Sequence, residues 1–428
     1  MNQESTNKQA SKARMVSSRA RWYRRLGPGL ITACVVIGPG SILTSSQVGA
    51  NRGYSMLWVV VVAVLFMAFF MRLGARLGVV AEESPGSLIA ARLGRIAAAL
   101  VGLSVFFISA SFQFANNLGV YSAFQIYFDF EYTIVIFNLL TILFLFSLRN
   151  LYQVLEKLMT CLVGLMLLAF AVNLIAAQPD VEQMAAGMVP RRGELDLAVL
   201  GLIGTTFVIS GAFYQAYLVK QKGWTRNELQ DGVIDVRVGA VIMAAITLML
   251  IATAAAVFRG KSLDTVQQVA LGLRPLFGET GTFLFCVGLF SAAYSSFLVN
   301  SLIGGFILSD GLGLGSRPED VWPRIFTALI LTVGMLMALG VVLLEIDVYP
   351  AIIAAQAATV VASPVLALAL WLLTSRRDVM GEERNSLLTN FAACVGFVLL
   401  LFMAGYTVTQ KILPAFSLGI EMSLPVVC

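Results

Sequence analysis

The chain has 428 residues, of which 58% are hydrophobic and only 12% charged, and its mean hydropathy is +0.86. Soluble domains carry about 25% charged residues, so these values exclude an ordinary soluble enzyme and indicate a chain that crosses a membrane many times. The formal net charge is +5 and histidine is absent, which removes a histidine metal ligand and a histidine proton carrier in one observation.

In chain order, residues 1–26 are polar and basic and are predicted to be a cytoplasmic tail. The apolar run that follows is too long for a cleavable signal peptide. Eleven runs without Asp, Glu, Lys or Arg then follow: 28–51, 53–71, 96–128, 132–148, 158–179, 197–219, 238–258, 280–309, 325–344, 348–375 and 385–410. Each matches, or nearly matches, the roughly 20 residues that cross a bilayer as helix. Alternating ten-residue strands are missing, so the prediction is an all-α integral membrane protein and not a barrel.

Two of these runs interrupt themselves. The first contains VVIGPGSILT, where Pro39 between Gly38 and Gly40 cannot continue a helix. The sixth contains GTTFVISGAFYQAYLVKQKGW, with Ser210 and Gly211 at mid-depth. Unwound backbone inside a membrane survives only against protein or a wet cavity. A matched pair of broken spans in corresponding positions points to a transporter of inverted-repeat design, with its site at the breaks. The predicted organisation is a first repeat over 27–177, an external loop over 178–196, a second repeat over 197–375, and an eleventh span with an external tail over 376–428.

Placing the N-terminus in the cytoplasm puts most of the 29 Lys and Arg residues on that side, as the positive-inside rule requires. Eleven spans then leave the C-terminus outside. Cys34, Cys161, Cys286 and Cys394 lie in apolar runs, Cys428 ends the chain, and none has metal-ligand spacing. No Walker loop, dinucleotide fingerprint or zinc spacing is present, so neither enzymatic chemistry nor a cofactor is expected. No basic patch interleaved with aromatics suggests nucleic acid. The expected partners are the lipid bilayer and a small ion or solute.

The run RLGPGLITACVVIGPGSILTSSQVGANRGYSMLWVV resembles the first two spans of the Nramp divalent-metal transporters, where the family reads L-G-P-G, then D-P-G-N, then G-x-x-x-G-Y-x-L-L-W-V. GLIGTTFVISGAFYQAYLVKQ is similar to the family's sixth span around its M-P-H motif, and GLFSAAYSSFLVNSLIGGFI and TSRRDVMGE are similar to later segments. The resemblance runs from about residue 22 to 412. It implies a LeuT-like fold of two inverted five-span repeats, with spans one and six broken around a single central site in the inner membrane of the cell.

The departures bear on chemistry. The family's metal-binding Asp falls on Gly38 and its Asn on Ser41. Its site Ala and Met fall on Thr205 and Val208, and the proline and histidine of M-P-H on Ile209 and Ser210, beside Gly211. A second histidine of that span falls on Gln215. The acidic residues of span three fall on Gln113 and Asn116, next to Asn117. A glutamine of span eight becomes Tyr294, whereas the glutamine of span ten is kept as Gln356, and span seven keeps an acid at Asp231. Carboxylate and thioether suit manganese and ferrous iron, and neither remains at the matched positions. The resemblance therefore implies a divalent-cation transporter, whereas the neutral residues suit hydrated Mg2+ better than a bare transition metal. A small zwitterion such as an amino acid fits the same oxygens. With no acid or histidine in the pathway, the family's proton coupling is expected to be lost. A sensor on this scaffold is the third reading, but the loops leave no room for a soluble output domain. Asp231, Asp235 and Arg237 are expected to form a cytoplasmic ion-pair cluster or gate.

Overall fold

The computed structural model describes residues 27–409, apart from 129, 131, 148–150, 191–196, 262, 264, 319 and 345–347. The two predicted tails, part of the external loop, and Glu345 and Asp347, which the sequence places at the interfacial ends of two spans, therefore lie outside the described residues. All eleven charge-free runs fall on helix. Eight helices are long and apolar enough to cross a membrane, or up to ten if each bent pair is one span, and the fourth run forms a shorter apolar helix.

The first run divides into α1 (Pro28–Val36) and α2 (Pro39–Arg52), bent by 59°. The cause is local. A residue before proline is driven out of the helical region, and Gly38 sits extended at φ −123°, ψ 179°. Proline is favourable at the first position of the new helix, where an N–H has no partner, so Pro39 ends one helix and starts the next.

Then come α3 (Leu57–Val80), short α4 (Pro85–Leu93), α5 (Arg95–Gln125), α6 (Thr133–Ser147), α7 (Leu151–Ala177) and short α8 (Val181–Gly187). The sixth run divides into α9 (Leu197–Thr206) and α10 (Ile209–Lys222). After these come α11 (Leu229–Val257), α12 (Val266–Gly311, turning at Gly278), α13 (Val321–Leu343), α14 (Val348–Ser375), short α15 (Arg377–Met380) and α16 (Leu387–Thr407).

The second break differs from expectation. It lies at Phe207 and Val208, and Ser210 and Gly211 are already in the first turn of α10. The first turn of a helix tolerates serine and glycine, because its N–H groups lack intrahelical acceptors there. Thr205, Thr206, Val208 and Ile209 are β-branched and weaken the helix on both sides of the interruption. No proline enforces a sharp bend, and Ala198–Lys222 still passes as one 25-residue crossing. Ile37 (φ −93°, ψ 87°) and Val208 (φ −86°, ψ 88°) nevertheless share one backbone conformation.

Lipid tails are as apolar as leucine, so helices in a membrane gain by close backbone approach at small residues. Gly74 and Gly78 of α3 lie against the backbone of Ala212 and Ala216 on α10. Gly119 of α5 lies against the Pro39 ring, where a Cβ would overlap it. These contacts press α5 and α3 onto the two half-helices that follow the breaks.

Candidate functional site

The breaks are neighbours. Thr44 Oγ1 of α2 lies 3.4 Å from Thr205 Oγ1 of α9. A Cβ on Gly211 would sit 3.3 Å from Thr32 and 3.7 Å from Val35, both on α1. The C-terminal carbonyls of α1 and α9 and the first amides of α2 and α10 thus face one buried region. Four carbonyls at a helix C-terminus and four amides at an N-terminus lack intrahelical partners, so this region offers both acceptors and donors without any charged side chain.

The sequence-predicted residues divide into three groups. Gly38 lines the first break. A Cβ there would sit 3.1 Å from Ser296 Oγ of α12 and 3.2 Å from Asn116 Oδ1 of α5, which places Asn116 at the break as well. Ser210 follows the second break, is 1% exposed, and its hydroxyl has no partner among the described residues. Thr206 Oγ1 and Ser45 Oγ share that condition. Buried hydroxyls are ordinarily paired with protein or water, so three orphans near two breaks mark the region as polar and under-satisfied. Val208 forms the second break itself.

A second group is committed locally. Ser41 Oγ accepts from Gly38 N at 3.0 Å and lies 2.9 Å from Gly38 O, closing the first turn of α2. Thr205 Oγ1 donates to Gly201 O at 2.9 Å. Gln113 Nε2 donates to Phe297 O at 3.0 Å and ties α5 to α12. Asn117 donates to Gln113 O and accepts from Asn138 Nδ2 at 2.5 Å, so it faces α6.

A third group points elsewhere. The Tyr294 hydroxyl lies 3.3 Å from Thr141 Oγ1 of α6, and its ring stacks on Phe290 and Phe297. The residue of α12 that meets Gly38 is Ser296, two positions on, because a step of two turns the helix through about 200°. Gln215 accepts from Thr32 Oγ1 at 2.5 Å, and its Nε2 lies 3.4 Å from Asp235 Oδ2. Gln356 belongs to α14, and its side chain lies outside the described residues.

Two carboxylates were missed as structural centres. Asp235 of α11 is fully buried and accepts from the amides of Gly27 (2.8 Å) and Gly29 (2.5 Å) at the start of α1. Asp235 itself is a helix cap for α1, where negative charge is favoured. Asp310, at the end of α12, accepts from Ser84 Oγ (2.6 Å), Gly86 N (2.7 Å) and Tyr217 Oη (2.6 Å). It ties α4 and α10 to α12. The available signal was its position, one residue beyond a charge-free run. Beside these contacts, a cavity of about 750 Å3 is lined by Glu82, Glu156, Tyr217, Lys222 and Arg317 among others. Lys222 pairs with Glu156 at 2.9 Å.

Residues 29–410 match the family model described as natural resistance-associated macrophage protein-like. The chain belongs to the Nramp family. This Nramp chain is 28% identical over 370 residues to the divalent metal cation transporter MntH of Deinococcus radiodurans, covering 83% of each. In fold it is similar to the manganese transporter of Eremococcus coleocola solved with an aromatic bis-isothiourea compound. There the TM-score is 0.79 at 20% identity, covering 94% of this chain and 89% of that one. It also shares its fold with MhsT solved in complex with L-phenylalanine, at a TM-score of 0.59 and 15% identity, covering 89% and 98%. The fold is therefore all-helical and of the Nramp and LeuT type, and the family is one of membrane transporters and not of enzymes. Among the described residues of this Nramp chain, no group of three or more His, Cys, Asp or Glu is placed to hold a metal ion.

Proposed function

We propose that this chain is a secondary transporter of the cell membrane whose central site takes a divalent cation with part of its water shell, Mg2+ in preference to Mn2+ or Fe2+. The substrate class follows the name of the Deinococcus relative, and the preference follows the ligands. The observation that carries it is a buried region between two helix breaks that, among the described residues, is rich in neutral oxygens and has no group of His, Cys, Asp or Glu placed to hold a metal. Burying a bare divalent ion without an anion costs several kcal/mol even after relaxation. Mg2+ releases its waters reluctantly and is commonly held through them. Ser210 Oγ, Asn116 Oδ1 and the backbone at Gly38 supply oxygens for such an aquo ion.

Transport proceeds by alternating access of the inverted repeats 27–177 and 197–375 about this site, with the N-terminus cytoplasmic and the C-terminus outside. The cavity beside Tyr217 and Asp310 then opens to the cytoplasm. Without a histidine or carboxylate at the breaks, the site carries no proton of the family's kind. The first amides of α2 and α10 favour a second reading, a small zwitterion whose carboxylate caps a broken helix.

Titration calorimetry of the purified protein with Mg2+, Mn2+ and glycine separates the two. Mg2+ heat that weakens at least fivefold in Ser210→Ala supports the cation reading. Heat from glycine and none from either metal refutes it.

A further inference from the structure

The cavity beside Tyr217 and Asp310, at about 750 Å3, is far larger than passage of a hydrated ion requires. Six waters at about 30 Å3 each amount to about 180 Å3, whereas organic ligands take pockets of about 300–1,000 Å3. Its walls divide by depth. At the buried end, the Tyr152 hydroxyl of α7 and Gln221 Nε2 of α10 have no partner among the described residues, and both residues line the cavity. Lys222, whose side chain is 11% exposed, pairs there with Glu156 at 2.9 Å. Half-buried Lys220 donates to the carbonyls of Ala81 and Glu82 at the end of α3. Lys220 and Lys222 against Glu156 leave one positive charge inside. The exposed rim carries Glu82 and Glu83 on the α3–α4 connection and Arg317 on the α12–α13 connection, which leaves one negative charge outside.

We propose that this cavity binds a zwitterionic phosphate ester of the phosphoethanolamine kind. Its phosphate lies against Tyr152, Gln221 and Lys220, and its ammonium lies at Glu82 and Glu83. The donors select the inner group. An amide Nε2 can only donate, and a phosphate offers three strong acceptor oxygens, enough to meet groups on two helices at once. The rim selects the outer group, because a plain anion leaves Glu82 and Glu83 without a cation. A simple amine would leave the buried donors unpaired, which is costly. Asp310 does not compete for the ligand, since both of its oxygens already accept from Ser84, Gly86 and Tyr217.

The bound ester braces α10 against α7 and the α3–α4 connection. The start of α1 touches the same place, for a Cβ on Gly27 would lie 2.6 Å from both Glu156 Oε1 and Lys222 Nζ. Occupancy therefore holds α1, α7 and α10 together and slows opening of this face. That consequence rests on the alternating-access reading, whereas binding itself does not and is measured without any transported substrate.

The test is thermal unfolding of the purified full-length protein with O-phosphoethanolamine, inorganic phosphate and ethanolamine. The expected result is a saturable rise in Tm with O-phosphoethanolamine, at least tenfold weaker half-saturation with phosphate, and no rise with ethanolamine. Tyr152→Phe removes a hydroxyl that bonds nothing in the protein and should weaken O-phosphoethanolamine at least tenfold. Glu83→Gln should weaken it about fivefold and leave phosphate unchanged. No rise with O-phosphoethanolamine, or phosphate binding as tightly, overturns the proposal, as does an unchanged response in Tyr152→Phe. Lipid discs separate the sources. If phosphatidylethanolamine discs raise Tm above phosphatidylcholine discs and abolish the response to the added ester, the site takes a lipid headgroup. If the response persists in both, it takes the soluble ester.

Discussion

Gly38→Asp is the most informative single change. Its backbone, at φ −123° and ψ 179°, is extended and accepts any residue without strain. A Cβ would lie 3.1 Å from Ser296 Oγ and 3.2 Å from Asn116 Oδ1. Both contacts are ends of side chains, so the neighbours need shift only a few tenths of an ångström. The new carboxylate would stand in a region with no cation to pair it. Unit charges 4 Å apart attract by about 4 kcal/mol at an effective dielectric of about 20, hence by about 8 kcal/mol for a divalent ion. Desolvating the carboxylate and the ion takes back several kcal/mol, leaving about 3 kcal/mol, or roughly a 100-fold gain in affinity. Mn2+ should benefit most, because a carboxylate suits it better than neutral oxygens do. The assay is Mn2+ titration calorimetry beside thermal unfolding. The variant should unfold earlier than the parent without metal and recover with Mn2+. A folded variant with unchanged Mn2+ affinity would refute the placement of Gly38 at the substrate site.

Further expectations follow from the same contacts. Asp235→Asn sets an amide NH2 against one of the two α1 amides that the carboxylate now receives. Losing a charge-assisted bond costs about 2 kcal/mol, so exchange of α1 amide hydrogens should quicken roughly 30-fold; unchanged exchange would show that Asp235 does not hold α1. Gly119→Ala inserts a methyl group where Pro39 already sits, which should cost about 1–3 kcal/mol and lower Tm, and a neutral result would contradict the close approach of α5 to α2. Tyr217→Phe removes the hydroxyl given to Asp310 and should speed labelling of a cysteine introduced at Ser84 by a membrane-impermeant thiol reagent added from the N-terminal side. Unaltered labelling would mean that this bond does not close that face. In proteoliposomes, substrate uptake should proceed without measurable lumenal acidification, and a robust acidification tied to substrate would overturn the loss of proton coupling.

Much of the architecture was legible because the bilayer imposes a simple code. A span must satisfy its own backbone and present apolar side chains, so charge-free runs locate helices, and all eleven runs lie on helix. Pro39 made the first break certain, since a proline dictates the conformation of the residue before it. The second break had no such marker. Ser210 and Gly211 predict a break by residue type, yet the chain interrupts itself at Phe207 and Val208, where propensity is nearly balanced and packing decides. Tyr294 shows another limit. Matching it to a family position placed it at the site, while the rotation of α12 turns it toward Thr141 and presents Ser296 to Gly38.

Length, hydropathy and the two interrupted runs thus determined the helical class, the number of charge-free segments and the neutral character of the breaks, since these depend on residue type and on local backbone chemistry. Family membership was legible in motifs spread along nearly the whole chain. Tertiary structure alone decided which polar groups meet. Ser296 lies 261 residues from Val35, and Asp235 lies 206 from Gly29. No local rule specifies such pairs. They arise when small residues such as Gly74 and Gly119 let helices approach to backbone contact. That approach also decides which buried oxygens are satisfied by neighbours and which, like those of Ser210 and Asn300, are left open.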